Sequence, residues 1–361
     1  MSSAVGIDGP VLIVGSGLIG ASVGLALRRA GVQVLLSDRD PASVEVAQRA
    51  GAGRPLTPTD DPVLVVVAVP PRPAAEVIAE MSTRYPNATL TDTTSVKEPV
   101  LAAAVARGAD PTRLVGGHPM AGREVSGAAA ARADLLDDRL WVLTPLPQTG
   151  VDHVRQAHRL VSACGAYPVE MGLSEHDAAV ALVSHAPQVL ASVLAGQLVG
   201  SDPDHVRIAG QGLRDMTRIA GSSTGLWQDI LAANARQVAG VLDAIIADLG
   251  RTADALRAEG AVAGSEVARV LGAGVDGQRL IPGKHGAAPS AYREIVVMLA
   301  DRPGELGRLF AVAAEVDISI EDVRIEHVLG RPSGLVMLYV RPESGDDLVW
   351  ALTERSFDVR A

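Results

Sequence analysis

The sequence predicts an α/β protein in three parts: a parallel, doubly wound sheet domain over residues 1–172, an all-helical domain over 173–259, and a small βαββαβ domain over 292–361. Residues 260–291 are the expected connector. Three observations carry this. From Val11 to Gly172 short apolar runs alternate with Ala- and Arg-rich stretches of helical period, the pattern of strands joined by crossover helices. From Ser174 to Glu259 the pattern lengthens into Ala-, Leu- and Val-rich amphipathic stretches with few strand signals. After Tyr292 strand and helix alternate again on a smaller scale.

The elements follow in order. "VLIVG" is a strand whose end runs into a glycine-rich turn and a helix, and "VQVLLSD" is the next strand. "VLVVVAVP" ends at Pro70 and Pro71, where the chain must leave the sheet. "TLTDTTSVKEPV" ends a strand with Asp92, Ser95 and Lys97 near its edge, and Thr94 or Ser95 is the expected cap of the helix that follows. "RLVGG" and "WVLTP" are further strands. The connector, with "LGAGVDGQRLIPGKHGAAPSA", is rich in Gly, Ala and Pro. In the last domain "REIVVMLA", "ISIEDVRIEHV" and "GLVMLYV" read as strands, "GELGRLFAVAAEV" and "DDLVWALTER" as helices, and "FDVR" as a short final strand.

Composition narrows the function. At 361 residues the chain is long enough for more than one core. Its 32 basic and 42 acidic residues give a formal charge of -10, with no basic run or aromatic-basic alternation suited to a phosphate backbone, so nucleic acid is not an expected partner. Cys164 is the only cysteine, which excludes an internal disulfide and a cysteine-based zinc site; it reads as a buried helix-end residue in a reducing compartment. No metal site is expected. The N-terminus lacks a basic start and a cleavage site, and no apolar run is read as reaching the roughly 20 residues that span a bilayer. The expectation is a soluble, cytoplasmic protein without a membrane partner.

Gly15, Gly17 and Gly20 stand in G-x-G-x-x-G spacing directly after a strand and at the start of a helix. Such glycines permit a tight turn and close approach of a pyrophosphate to the helix N-terminus, which would bring Leu18 and Ile19 against a dinucleotide. Asp38 ends the next strand 23 residues after Gly15, where a carboxylate can accept from the ribose hydroxyls. That favours NAD; Arg39 beside it leaves NADP open. His118, in "VGGHPMAGRE", lies just past a strand end on the same edge of the sheet. An imidazole there can take the proton of a substrate alcohol while hydride leaves the same carbon.

The segments "GSGLIGASVGLAL", "TDTTSVK", "GGHPMAG", "SEHDAAVALVSHAPQ" and "LRDMTRIAGSSTGLWQDI" occur in an order and spacing that resemble the prephenate dehydrogenase family, and the tail from Tyr292 resembles an ACT regulatory domain. The resemblance implies a Rossmann domain, a helical domain that forms a homodimer, and an active site in the cleft between the two. It implies that His118 is the catalytic base, that Ser95 supports the reacting hydroxyl, that Arg218 pairs with a substrate carboxylate and that His185 contacts the substrate side chain. Arg214, four residues earlier, would share a helix face with Arg218, so the choice between them rests on the resemblance. His176 and His185 are nine residues apart and on a regular helix would face opposite ways; the resemblance selects His185, with Gln188 sharing its face. Trp227 is expected to be a packed or cleft-wall residue rather than a catalytic one.

Arg123 and Val125 depart from the family's usual residues after "HPMAG", and Ser319 stands where many ACT domains place asparagine. The implied activity is NAD-dependent oxidative decarboxylation of prephenate, with arogenate as the alternative substrate; an acidic residue beside the ammonium would favour arogenate, and Gln188, being neutral, favours prephenate. A β-hydroxyacid dehydrogenase would want a lysine in the helical domain, and none lies between Ser174 and Glu259. A non-enzymatic sensor of dinucleotide and amino acid is the remaining rival. In the tail, Asp301, Gly304, Glu305 and Leu306 at a helix start are expected to hold a small amino-acid effector, tyrosine first and phenylalanine second.

Overall fold

The computed structural model describes residues 6–122, 127–258, 261–281, 292–327 and 333–360. Arg123 and Val125 lie outside them. The chain divides into two compact units, Met1–Ile246 and Ala247–Ala361.

In the first unit the strands are β1 (Val11–Val14), β2 (Val34–Ser37), β3 (Arg54–Pro55), β4 (Leu64–Val67), β5 (Thr89–Asp92), β6 (Leu114–Pro119), β7 (Leu140–Pro145) and β8 (Tyr167–Glu170). The helices between them are α1 (Leu18–Arg29), α2 (Pro41–Arg49), α3 (Pro71–Arg84), α4 (Glu98–Ala106) and α5 (Val151–Ala163). They form one eight-stranded sheet in the order β3-β2-β1-β4-β5-β6-β7-β8. The order reverses between β1 and β4, the switch point at which doubly wound sheets open a ligand crevice. One expectation fails: the sheet is not wholly parallel, because β7 runs antiparallel to β6, with His118 opposite Val142. Only a short 3-10 turn, Ala128–Ala130, is formed among the described residues between them, so no crossover helix carries the chain back to the starting edge. Apolar side chains fill both faces of the sheet: Ile13, Leu27, Leu36 and Val66 pack on one, and Leu12, Val65, Ile78 and Leu90 on the other. Cys164 is fully buried at the end of α5, where burial pushes its thiol up to about 12.

The helical part comprises α6 (Leu173–Val180), a π turn (Ala181–His185), α7 (Ala186–Gly196), α8 (Pro203–Arg207), α9 (Gln211–Thr217), a 3-10 turn (Arg218–Gly221), α10 (Thr224–Ala233) and α11 (Ala235–Ala258). Contrary to the expectation from the raw sequence, the run Leu173–Gly196 is long and apolar enough to cross a membrane by length and composition. Its His176, Asp177, His185 and Gln188 are buried and hydrogen-bonded within the protein, while Leu182, Val183 and Val193 are exposed.

In the second unit the expected connector contains a helix, α12 (Ala261–Arg279). Val267, Val270, Leu271 and Val275 keep helical spacing through the glycines. Arg269 on α12 ties the helix to α11, donating to Asp248 at 2.8 Å. Then follow β9 (Arg293–Ala300), α13 (Glu305–Glu315), β10 (Ile320–His327), β11 (Ser333–Val340), α14 (Gly345–Glu354) and β12 (Asp358–Arg360). Every pairing in this sheet is antiparallel, in the order β10-β11-β9-β12, and Val297, Leu338, Leu309 and Leu348 join its inner face to the two helices.

Candidate active site

The glycine turn between β1 and α1 divides its labour by residue. Gly15 has φ +104°, and a Cβ on it would come 2.4 Å from the Ala68 carbonyl oxygen. A Cβ on Gly20 would come 1.9 Å from the Gly15 oxygen, so α1 could not start where it does. A Cβ on Gly17 would meet nothing within 4 Å. The first and third glycines are thus required by the fold, and the second faces open space at the start of α1, flanked by Leu18 and Ile19. Asp38, just after β2, accepts from the Ser16 N–H at 2.6 Å and the Asp40 N–H at 2.9 Å. Its carboxylate stands at the mouth of the turn, where a ribose would lie. This combination of open space, oriented helix start and carboxylate fits a dinucleotide.

The ends of β5 and β6 are adjacent, and they carry Ser95 and His118 on one edge of the sheet. Behind them Lys97 is wholly buried. Its ammonium pairs with the Asp92 carboxylate and donates to the Gly117 carbonyl at 2.7 Å, and Asp92 accepts from the Gly117 N–H at 3.1 Å. Both strand ends are therefore pinned to one buried ion pair immediately before His118. Thr94 and Ser95 do not cap α4 as expected. Thr94 bonds Asp92 and the Val96 carbonyl instead, and the first N–H groups of the helix reach across to Asp177 on α6, from Lys97 at 2.8 Å and Glu98 at 2.9 Å.

The two histidines of α6 and the π turn overturn another expectation. On a regular helix nine residues would set them about 180° apart; the π turn absorbs one extra residue, leaving about eight α-helical steps and a separation of roughly 80°. Both consequently reach the site. His176 Nε2 lies 2.9 Å from His118 Nδ1 with the rings edge to face, and His176 Nδ1 lies 2.8 Å from Asp177 Oδ1. His185 receives a hydrogen bond from Asn234 at 3.1 Å and stacks edge-on against Trp227, with ring centroids 6.0 Å apart. The same Asn234 nitrogen donates to the Asp177 carbonyl at 2.8 Å, which fixes the direction of its amide.

His118 is half-buried. Burial, reinforced by His176, Lys97 and His185, holds its imidazole well below the usual value. Burial likewise pulls His185 down to about 4, with Asp177 opposing. Both rings are neutral at physiological pH and able to accept or donate through their free nitrogens.

Gln188 is buried and donates to the Ile219 carbonyl at 3.0 Å, tying α7 to the 3-10 turn that begins at Arg218. Arg218 itself is exposed at the end of α9, where the change of helix type takes it off the regular spacing from Arg214. In the second unit Gly304 enters α13 with φ +93°, Glu305 pairs with Arg308 at 3.0 Å, and Asp301 and Ser319 are exposed. No group of three or more metal-ligating side chains occurs among the described residues. Sequence reasoning missed the contact between His118 and His176, the role of Asp177, and Asn234. The adjacent pair "HD" was the one available signal.

Residues 23–170 match the family model described as the nucleotide-binding domain of prephenate dehydrogenase, and residues 173–268 match that of its dimerization domain. A probable prephenate dehydrogenase, NovF, of Streptomyces niveus is 34% identical over 354 residues, covering 96% of this chain and 98% of that one. The prephenate dehydrogenase of Bacillus subtilis is 29% identical and covers 93% of each. Among solved structures, the Aquifex aeolicus prephenate dehydrogenase in complex with hydroxyphenyl propionate and NAD+ superposes with TM-score 0.67 at 27% identity, over 75% of this chain and 98% of that one.

Proposed function

This chain belongs to the prephenate dehydrogenase family, and from that membership we propose that it oxidises and decarboxylates prephenate to 4-hydroxyphenylpyruvate, with His118 as the base. The cofactor is NAD. The observation that carries the reading is the neutral, half-buried imidazole of His118 at the β6 end, beside the β5 end that bears Ser95 and on the sheet edge of the glycine turn.

The turn from Gly15 to Gly20, with Leu18, Ile19 and Asp38, holds the dinucleotide, whose nicotinamide ring when bound accepts a hydride. His118 removes the proton of the substrate C4 hydroxyl, and Ser95 hydrogen-bonds that hydroxyl and orients it. Loss of hydride and proton at C4 leaves a ketone vinylogous to the C1 carboxylate. Carbon dioxide then departs, its electrons enter the ring, and a phenol results; aromatisation makes the step effectively irreversible. Arg218 pairs with a substrate carboxylate through its guanidinium fork. His185, whose Nδ1 accepts from Asn234, carries its hydrogen on Nε2 and donates to the substrate side chain. The helical domain joins two chains as a homodimer.

Gln188 supports a second reading. Its amide nitrogen donates to the Ile219 carbonyl and to the Ser192 hydroxyl, so the atom left for a ligand is an acceptor oxygen. An acceptor suits the ammonium of arogenate better than the ketone of prephenate. Following NADH formation with prephenate and then arogenate tests both: turnover of neither overturns the assignment, and the ratio of kcat/KM decides between them.

The tail is read as an ACT-like effector domain in which the start of α13, with Asp301, Gly304, Glu305 and Leu306, receives the carboxylate of tyrosine or phenylalanine. The left-handed Gly304 and the order β10-β11-β9-β12 support it. Calorimetry with each amino acid tests it, and no heat of binding from either refutes it.

A further inference from the structure

We propose that Asp177 and His176 are positioning residues that fix the tautomer of His118 and so leave its Nε2 as the proton acceptor; the inference rests on His118 being the base. A carboxylate only accepts, so His176 Nδ1, 2.8 Å from Asp177 Oδ1, carries the hydrogen. A neutral imidazole so protonated has its lone pair on Nε2. That atom lies 2.9 Å from His118 Nδ1, which must therefore be the donor. His118 is left with its own lone pair on Nε2, the ring nitrogen not engaged by His176.

The anchor of this chain of bonds is rigid. Asp177 Oδ1 also accepts the Lys97 N–H and Oδ2 the Glu98 N–H, so the carboxylate is held by the first turn of α4, which follows the loop carrying Ser95. His176 is wholly buried and Asp177 nearly so, which excludes water as a competing partner. The charged and titratable groups facing His118 are His176 from α6, His185 from the π turn and Lys97 from the loop after β5, with Asp92 paired to Lys97.

Direction matters as well as contact: with the bond reversed and His176 donating to His118 Nδ1, the His118 hydrogen would sit on Nε2 and the base would be lost.

The test uses the full chain, as wild type and with His176→Phe and His176→Gln. In ligand-free protein labelled with 15N-histidine, the wild-type His118 signal, assigned by its loss in His118→Asn, should show a protonated Nδ1 and an unprotonated Nε2. His176→Phe should mix the two forms and lower kcat by about 100-fold or more, within the range for a misdirected general base, while KM and NAD affinity stay close to wild type. His176→Gln, whose Oε1 can accept from His118, should recover most of that loss. A wild-type His118 with its hydrogen on Nε2 overturns the proposal. So does a folded His176→Phe enzyme with wild-type kcat. Should that variant not fold, the wild-type tautomer alone decides. Because that measurement needs no substrate, it stands apart from failure of the dehydrogenase reading, which would appear as wild-type inactivity on both substrates.

Discussion

At the scale of single residues the glycine turn separates fold from ligand. Gly20→Ala drives a Cβ into the Gly15 backbone and should lower the melting temperature sharply. Gly17→Ala meets no protein atom, so it should melt like wild type yet bind NAD weakly, because the added methyl occupies the space meant for the pyrophosphate. Paired thermal melts and NAD titrations check both; normal NAD binding by Gly17→Ala would move the dinucleotide elsewhere. His118→Asn keeps a polar side chain of similar reach but no base, and should lose about 100- to 10,000-fold in kcat with substrate and NAD binding retained. Steady-state kinetics and equilibrium binding read the two halves of that expectation. Asp38→Ala should weaken NAD binding and raise the relative use of NADP, since the carboxylate that repels a 2′-phosphate is gone and Arg39 stays exposed.

At the scale of elements, the π turn puts a pH dependence into stability. His185 is held down to about 4, against an ordinary value near 6.5, chiefly by burial. The unfolded chain therefore binds a proton that the folded chain refuses between those values. Stability is full above about 6.5 and declines as pH falls toward 4, by at most roughly 3 kcal/mol from this group. Chemical denaturation at pH 7 and pH 5 measures the difference, and equal stability at both would place His185 in a wetter setting.

The same element shows where the sequence stops being legible. Strand and helix order were readable because apolar period reports local geometry, and the glycine spacing and Asp38 were readable because they lie on one continuous β-turn-α unit. The registration of His176 with His118 was not, since a π turn has no compositional mark and its phase shift of about 100° reverses any helical-wheel argument. The antiparallel β7 and the helix at 261–279 were hidden for a different reason. Direction within a sheet depends on what joins two strands, and glycines in α12 masked a helical spacing held by ion pairs to α11. Asp177 capping α4 from some eighty residues away is a tertiary contact beyond any local rule.

At the scale of the whole molecule, the division after Ile246 means that α11 belongs to both units, so a truncation meant to remove only the tail has to fall beyond α12. A chain ending near Ser290 should keep its dehydrogenase activity and lose any inhibition by tyrosine that the full chain shows; initial rates with and without tyrosine check this. Equal inhibition of both chains would put the inhibitor in the active site. An effector acting through the tail must bind two conformations unequally, since equal affinity shifts nothing.

The carboxylate of Asp177 has one more consequence, for how the first unit comes apart. A helix whose opening N–H groups are satisfied only by a residue from another domain is incomplete until that domain docks. The sheet domain folding ahead of α6 would leave those donors without their acceptor. Sheet and helical domains of residues 6–246 should therefore melt as one cooperative transition, and amide protons at the start of α4 should exchange with solvent only by events that also release α6. An intermediate with the sheet folded and the helices loose would have to leave the opening N–H groups of α4 without the carboxylate that satisfies them.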